Sequence, residues 1–399
     1  MLVLVLNSGS SSVKYQLLDM PAGQVLARGI AERVGNDGAS LTHEVPGQEP
    51  LALARPLPDH AAAIGLLLET LTTAGPLGSL AAVDAVGHRF VHGGEYFSNS
   101  CLVTDEVVAT LTAHSDLAPL HSPPNLAGIA ACRQSLPGRP QVCVFDNGFH
   151  ASLAPEAYLY ALPYELYEKH RIRRYGFHGL AFRSACERTQ ALLGRDWREM
   201  RLVTLMLGSG NTANACDRGR SVDVSTGFTP QEGLVQSTRA GDLDAAIIPW
   251  LMEKEGLTAA QVVDLLNRRS GWLGLSGVSQ DLRDVIAAAG SGHERAQLAL
   301  AVHAHRARKY VGAYAATMGG LDALVFAGSV GLKSPLVRAS ICRGLEFLGL
   351  ELDMERNAAQ TEAIISRPSS PHPIVAVEIN EELIIARDTY DIASQGGLP

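Results

Sequence analysis

The chain has 399 residues, of which 46% are hydrophobic and 19% charged, and its formal net charge is −8. This composition can build a folded core, and the length indicates two or three domains. The basic residues are dispersed, which argues against a nucleic-acid surface, and no apolar stretch is long enough to span a membrane. The six scattered cysteines have no metal-binding spacing, so we expect reduced thiols in a cytoplasmic protein.

The first predicted element is a strand, a turn and a second strand, with no helix. Residues 2–6 form an apolar run, residues 7–12 are small and polar, and apolar residues alternate with polar ones over 13–17. Backbone amides in such a turn can hold a phosphate, with Lys14 supplying a positive charge. An ordinary Ser/Gly hairpin turn accounts equally well for the same residues.

The remaining elements alternate along the chain. Residues 35–58 are rich in Gly and Pro and predict an irregular excursion. Apolar runs predict further strands at 83–91, 142–145, 323–327 and 374–379. Helical periodicity is present at 59–73, after residue 124, and at 180–193, 258–268, 279–289 and 294–318. This order indicates an α/β fold.

The opening arrangement returns two hundred residues later. Residues 202–207 predict a strand, 208–213 a small-residue loop, and a return strand then leads to a turn at 217–219. The glycine spacing formally matches a dinucleotide fingerprint, but that motif requires a helix after the loop. We therefore predict a duplicated lobe, with residues 1–150 plus about 382–399 forming one copy and 151–381 the other, and a cleft between them.

Polar residues stand where predicted strands end or where glycines make a turn. Arg89 lies in the segment 87–95, Asp146 ends the strand 142–145, His178 lies between glycines, and Arg239 follows the segment 226–230. Ligands of α/β proteins bind at such strand ends. A lone histidine or arginine is usually structural, but several together indicate a site.

These segments, in this order, resemble the acetate kinase family over essentially the whole chain. The matching stretches are 7–14, 87–95, 117–121, 145–150, 175–179, 227–242, 276–283 and 380–383. The resemblance implies two duplicated actin-like (ribonuclease H-like) lobes and a homodimer. It also implies Mg²⁺, with Mn²⁺ as a second candidate, and the conversion of ATP and acetate into ADP and acetyl phosphate.

The resemblance also implies roles for individual residues. Three would be catalytic: Asp146, His178 and Arg239. Six would bind the substrate: Arg89, Val91, Leu120, His121, Phe177 and Pro230. Twelve would bind the nucleotide: Ser10, Ser12, Lys14, Gly208, Ser209, Gly210, Asp281, Arg283, Gly328, Ser329, Gly331 and Lys333. Two would bind the metal: Asn7 and Glu381.

Departures from the family pattern fall on the nucleotide side. Ser209 stands where the family usually has asparagine, and Ser329, Leu332 and Lys333 replace glycine, glutamate and asparagine. The alternatives are a propionate or other short-chain acyl kinase with GTP or pyrophosphate as donor, and a non-catalytic binding protein. A hydroxyl kinase with Asp146 as general base is a further alternative.

Overall fold

The computed structural model describes residues 1–395, which divide into two units. One contains residues 1–149 together with 380–395, and the other is His150–Ile379. The observed boundaries differ by one or two residues from those of the predicted lobes. No helix within residues 1–395 has the length and apolar character needed to cross a membrane.

The first unit is built on an eight-stranded sheet whose order is β5-β4-β3-β2-β1-β6-β8-β7. Its strands are β1 (Leu2–Ser8), β2 (Ser12–Asp19), β3 (Gln24–Glu32), β4 (Ser40–Glu44), β5 (Leu51–Ala54), β6 (Ala85–Phe90), β7 (Cys101–Leu102) and β8 (Gln141–Phe145). β1, β6 and β8 pair in parallel, and the other pairings are antiparallel. The predicted strand, turn and strand at the start of the chain are confirmed.

Helices cover both faces of this sheet. They are α1 (His60–Thr73), α2 (Asp105–Ala113), α3 (Ser122–Ser135) and, from the end of the chain, α14 (Glu381–Gln395). Val5 pairs with Gly87, so these residues share a face, and a Cβ at Gly87 would lie 2.3 Å from Thr389 Oγ1 of α14. A Cβ at Gly128 of α3 would lie 2.7 Å from Ser8 Oγ on the opposite face. Glycine at both positions lets the two helices approach the sheet closely.

The second unit contains a six-stranded sheet of order β11-β10-β9-β12-β14-β13. Its strands are β9 (Arg201–Met206), β10 (Thr212–Asp217), β11 (Arg220–Val224), β12 (Ala323–Ala327), β13 (Ala363–Ile364) and β14 (Ile374–Ala376). Its helices are α4 (Pro155–Tyr158), α5 (Tyr164–His170), α6 (Gly179–Leu193), α7 (Ile247–Glu255), α8 (Ala259–Arg268), α9 (Gly271–Ser276), α10 (Leu282–Gly290), α11 (Glu294–Thr317), α12 (Gly328–Lys333) and α13 (Pro335–Cys342).

The two sheets repeat one topology. The order β3-β2-β1-β6-β8 in the first unit corresponds to β11-β10-β9-β12-β14 in the second. In each, two antiparallel pairings are followed by two parallel ones, and a short antiparallel strand closes the edge. The predicted duplication and α/β class are confirmed. A strand, not a helix, follows the loop 208–211, so rejection of the dinucleotide fingerprint is also confirmed.

Three sequence predictions are wrong in detail. Residues 35–58 contain β4 and β5, an antiparallel hairpin that extends the sheet. These strands are too short, and β5 too exposed, for their alternation to stand out among the surrounding glycines and prolines. β14 ends at Ala376, before the predicted 379. α10 begins at Leu282 because the carboxylate of Asp281 caps it by accepting from the Arg283 amide.

Candidate active site

In the first unit, the parallel strands bring the predicted charged residues together. Side chains two residues apart in a strand share a face, so Arg89 lies on the same face as Gly87, the face that α14 covers. Asn7 lies on this face as well, because Val5 pairs with Gly87. Nη2 of Arg89 donates to Asp146 Oδ2 over 2.8 Å, and Nη1 donates to Asn7 Oδ1 over 3.3 Å. The ends of three adjacent strands therefore supply one polar cluster.

The ion pair between Arg89 and Asp146 is largely withdrawn from water, with side-chain exposures of 18% and 2%. Burial acts to lower the pKa of Arg89, but the carboxylates of Asp146 and Glu381 outweigh it, so that pKa is raised. The buried Nε of Arg89 has no hydrogen-bond partner among residues 1–395. One donor of the guanidinium is thus buried without forming a hydrogen bond to the described part of the protein.

Glu381 enters this cluster from the start of α14. Asn380 caps the helix by accepting from the Leu383 amide over 2.9 Å, which places Glu381 and Glu382 in the first turn. Burial raises the pKa of Glu381 to about 7, with Arg89 acting in the opposite direction. The positive charge of Arg89 therefore does not fully offset the effect of burial on this carboxylate.

Asn125 joins the ends of β1 and β6, a role that sequence reasoning missed. Its Nδ2 donates to the Ser8 carbonyl over 2.6 Å, and its Oδ1 accepts from the Val91 amide over 3.1 Å. Asn125 lies in α3, where an isolated polar residue in a helical pattern gives no local signal of a buried contact.

The other predicted residues of this unit are less enclosed. Val91 is buried, whereas the Leu120 side chain is 67% exposed and His121 directly precedes α3. In the predicted phosphate loop, the Gly9 amide donates to the Ser12 carbonyl, while Ser10 and Lys14 are exposed. The loop is thus a tight turn that exposes Ser10 and Ser11 to solvent, whereas Ser8 is buried.

In the second unit, His178 occupies a strained backbone position directly before α6. Its φ is +62°, a left-handed conformation that is unfavourable for a residue with a Cβ. Its Nδ1 lies 2.9 Å from Thr212 Oγ1, the first residue of β10. A Cβ at Gly210 would lie only 3.2 Å from His178 Cε1, so the loop between β9 and β10 packs directly against the imidazole.

Gln236, with Arg239 bound to it, lies beside the same loop, since a Cβ at Gly210 would also lie 3.7 Å from Gln236 Oε1. Nη1 of Arg239 donates to Gln236 Oε1 over 3.2 Å, and Gln236 Nε2 donates to the Pro230 carbonyl over 2.8 Å. Burial lowers the pKa of Arg239. No carboxylate within residues 1–395 forms an ion pair with it, so the cation is left to attract an external anion.

A buried polar network fixes the loop that follows β11. Nη1 of Arg174 donates to the carbonyls of Val224, Ser225 and Thr226, and Nη2 donates to Glu232 over 2.7 Å. Thr226 Oγ1 then accepts from the Phe177 amide over 3.0 Å. The predicted acyl-binding residues Phe177 and Pro230 are therefore attached to one rigid loop.

A cavity of about 910 Å³ in the second unit brings six of the predicted nucleotide-binding residues together. They are Gly208, Ser209, Asp281, Arg283, Ser329 and Lys333. The exposed Arg283 pairs with Asp281, and its hydrogen bonds lower the pKa of that carboxyl to about 2. The cavity has the size of a typical small-molecule site.

Other predicted contributions to this cavity are not found there. Gly210, Gly328 and Gly331 do not line it, and Ser10, Ser12 and Lys14 belong to the other unit. Leu332, expected to face the nucleoside, is buried in the hydrophobic core instead. It points inward because α12 turns Ser329 and Lys333 outward, one helical turn apart.

Sequence reasoning missed several residues that line the cavity. They are Ser237, Thr238, Trp272, Gln280, Leu282, Ile286, Val330, Ser334 and Gln360. The first two lie inside the matched stretch 227–242, which was the available signal. Gln360 lies in irregular chain with no motif, so nothing local marked it.

Comparison with known proteins agrees with this geometry. Residues 2–387 match the model of the Acetokinase family. The acetate kinase of Heliobacterium modesticaldum is 50% identical over 98% of this chain and 99% of its own. The crystal structure of Porphyromonas gingivalis acetate kinase superposes with a TM-score of 0.94 at 46% identity, covering 98% of this chain and 99% of that one. A propionate kinase structure from Francisella tularensis gives 0.91 at 34% identity, with the same coverage.

The fold and the sites define a phosphotransferase whose substrates are a carboxylate and a nucleotide. The chain belongs to the acetokinase family. The resemblance inferred from the motifs is confirmed, as is the prediction of acetate kinase activity. Membership also implies ATP as a substrate and a divalent metal ion. The non-catalytic alternative is not supported.

The glycines of the loop 208–210 provide a first test. In Gly210→Ala the new methyl displaces the His178 imidazole. If His178 has the catalytic role that the resemblance implies, we expect kcat to fall by about 10- to 100-fold, because small displacements of a catalytic group are costly. Gly208→Ala is the matched control for kcat, since its Cβ has only an ordinary 3.6 Å contact with Ser329 Oγ, and because Gly208 lines the cavity any effect is expected on the KM for ATP. Steady-state kinetics distinguish them, and equal effects on kcat would contradict the assignment.

Proposed function

We propose that the chain catalyses the reversible, Mg²⁺-dependent transfer of the terminal phosphoryl group of ATP to acetate, by way of the residues described above. The observation that carries these roles is Arg239, a half-buried cation without a carboxylate partner in residues 1–395. A planar guanidinium of this kind suits carboxylate and phosphoryl oxygens.

The acceptor needs no general base, because a carboxylate is already ionised at neutral pH. An acetate oxygen forms the new bond to phosphorus as the bond to the bridging oxygen of ADP breaks. The protein must therefore align the two substrates and neutralise the charge that spreads over the transferring oxygens. Asp146 is held by Arg89, which favours a positioning role over that of a base.

In the first unit we assign Arg89 to binding an anionic oxygen, with Asp146 fixing its orientation. Asn7 and Glu381 would hold the metal ion, and their oxygens are the hard donors that Mg²⁺ prefers. The raised pKa of Glu381 fits this assignment, because a cation there would stabilise the charged carboxylate. When bound, Mg²⁺ neutralises charge on the nucleotide phosphates.

Within residues 1–395, no three side chains of His, Cys, Asp or Glu are grouped to hold a metal by themselves. Mg²⁺ typically uses only one or two carboxylates and completes its shell with water and substrate phosphates. This preference supports a metal that arrives with the nucleotide, although Mn²⁺ would fit the same donors.

In the second unit we assign His178 to the oxygens of the transferring phosphoryl group. Its hydrogen bond with Thr212 fixes the ring, and its left-handed backbone conformation places it directly before the first residue of α6. In the first unit His121 is assigned to binding phosphate oxygens. Val91, Leu120, Phe177 and Pro230 are assigned to the methyl group of acetate.

The apolar residues also define the expected chain-length preference. One methylene is worth about 1–3 kcal/mol in such a pocket, so propionate is a weaker substrate but is not excluded. The similarity to a propionate kinase structure supports propionate as a second candidate acceptor.

Arg239→Ala tests the central role. We expect kcat to fall by about 100- to 1,000-fold with the fold intact, because a charge that acts in the transition state is lost. Arg89→Ala has the same expected result. Arg55→Ala, at an exposed arginine of the first unit, is the control. The measurement is acyl phosphate formation trapped as hydroxamate, and near-normal turnover in a folded Arg239→Ala enzyme would refute the assignment.

We propose that the 910 Å³ cavity binds the nucleoside and that Lys333 weakens its selectivity for adenine. Lys333 and Ser329 project from α12 into the cavity. A lysine side chain has donors but no acceptor, so it cannot complement the amino group of adenine. An unpaired polar edge costs about 1–3 kcal/mol. GTP, CTP and pyrophosphate are therefore candidate donors beside ATP.

Initial rates with these four donors test the proposal. We expect weak discrimination in the wild-type chain and a shift of kcat/KM toward ATP, on the order of tenfold, in Lys333→Asn. Lys309→Asn, at an exposed position on α11, controls for the loss of charge. Strong ATP selectivity that Lys333→Asn leaves unchanged would show that Lys333 has no part in donor choice.

We further propose a homodimer formed through the second unit, in a cytoplasmic protein whose six cysteines are all free thiols. α7 buries none of its residues and exposes Ile247, Ile248, Trp250 and Met252. Leu162 and Tyr164 are exposed as well. Several exposed apolar side chains on one helix are typical of subunit interfaces.

Trp250→Asp tests the interface. We expect this variant to sediment as a monomer, because the substitution places a charge where an aromatic side chain would be buried. Phe347→Asp is the matched control, since Phe347 is exposed in the same unit but lies apart in sequence from both apolar stretches. A Trp250→Asp dimer of wild-type stability would contradict this choice of surface.

A further inference from the structure

Arg338 of α13 is a fully buried arginine whose hydrogen bonds all go to uncharged oxygens. Nε donates to Asn357 Oδ1 over 2.8 Å, and Nη2 donates to the carbonyls of Asn357 and Ala359 over 2.6 and 2.7 Å. Nη1 donates to the carbonyls of Gly331, over 2.9 Å, and Leu332. These five bonds use every N–H of the guanidinium.

Burying a charged side chain in this way is energetically unfavourable, so Arg338 is not explained by packing alone. Burial lowers the pKa of Arg338 to about 10, and no carboxylate within the described residues 1–395 pairs with it. A well-packed apolar side chain of similar volume often stabilises a core as well as or better than a buried charge. What an apolar side chain cannot do is hold two separate backbone segments at a fixed spacing, which the rigid fork of arginine does.

Both segments held by Arg338 form walls of the cavity. Gly331 and Leu332 belong to α12, the helix that presents Ser329 and Lys333 to the cavity. Asn357 and Ala359 directly precede Gln360, which also lines the cavity. Asn357 closes the connection by donating from Nδ2 to the Pro335 carbonyl over 2.9 Å.

We propose that Arg338 is a positioning residue for the nucleoside, fixing α12 and Gln360 at the separation that the bound base and ribose require. The proposal rests on the assignment of the cavity as the nucleoside site. Arg338 itself touches no substrate, so its effect is confined to nucleotide affinity. The acyl-side residues and the phosphoryl-transfer step are unaffected.

The variants are Arg338→Met, which removes all five donors, and Arg338→Lys, which keeps the charge without the fork. ADP binding to the full chain is measured by calorimetry, and kcat and KM are measured for ATP and acetate. We expect Arg338→Met to weaken ADP binding and raise the KM for ATP by about tenfold or more, with kcat and the KM for acetate nearly unchanged. Arg338→Lys should recover part of the affinity.

Arg308→Met is the matched control. Arg308 also donates to two backbone carbonyls of α13, those of Ser340 and Ile341, but at the end of the helix away from the segments that line the cavity. We expect it to leave ADP affinity unchanged. Asn357→Leu and Asn357→Asp give a second route if Arg338→Met does not fold. Both lose the donor to the Pro335 carbonyl, but only the first also loses the Nε acceptor, so Asn357→Leu should weaken ADP binding more than Asn357→Asp does.

Each outcome is decisive. Wild-type ADP affinity in folded Arg338→Met or Asn357→Leu would overturn the proposal while leaving the proposed function intact. Equal losses for ATP and acetate would show that Arg338 supports the fold generally and would also overturn it. A wild-type chain that binds no ADP would instead refute the nucleoside assignment itself.

Discussion

The parallel pairing of β1 with β6, and of β6 with β8, decides where the charged side chains of the first unit meet. Leu6 pairs with His88 and Phe90 with Phe145, so Asn7, Arg89 and Asp146 reach one end of the sheet. A slip of one residue in β6 would turn Arg89 to the face covered by α3, away from α14. The ion pair with Asp146 is thus a product of strand register.

The second unit uses the same sheet topology for different chemistry. Its hairpin loop 208–211 packs against the His178 imidazole, and its helix α12 contributes Ser329 and Lys333 to the wall of the cavity. In the first unit, the equivalent loop is a tight turn with exposed serines. The duplicated fold provides two equivalent strand ends, and the residues placed there make one polar cluster and one nucleoside-sized cavity.

Residues that sit in a motif or directly after a strand were predictable, and residues that act from elsewhere were not. Arg89 and Asp146 lie in or directly after predicted strands and within segments that resemble the family, and these two signals together located them. Asn125 lies in a helix and Gln360 in irregular chain. Only their tertiary contacts, to the Ser8 carbonyl and to the cavity, show that they belong to the sites. Leu332 was misassigned because the short helix α12 was not predicted, and without its periodicity Leu332 and Lys333 could not be assigned to opposite faces.

The docking of α14 onto β1, β6 and β8 makes the first unit discontinuous in sequence. During synthesis, residues 1–149 leave the ribosome long before residues 380–395 exist. Until then the face of β6 that carries Gly87 is not covered by a helix, and Glu381 is absent from the neighbourhood of Arg89. The second unit, a continuous segment, can fold first. The first unit is therefore complete only after residues 380–395 have been synthesised, and until then its charge cluster lacks Glu381.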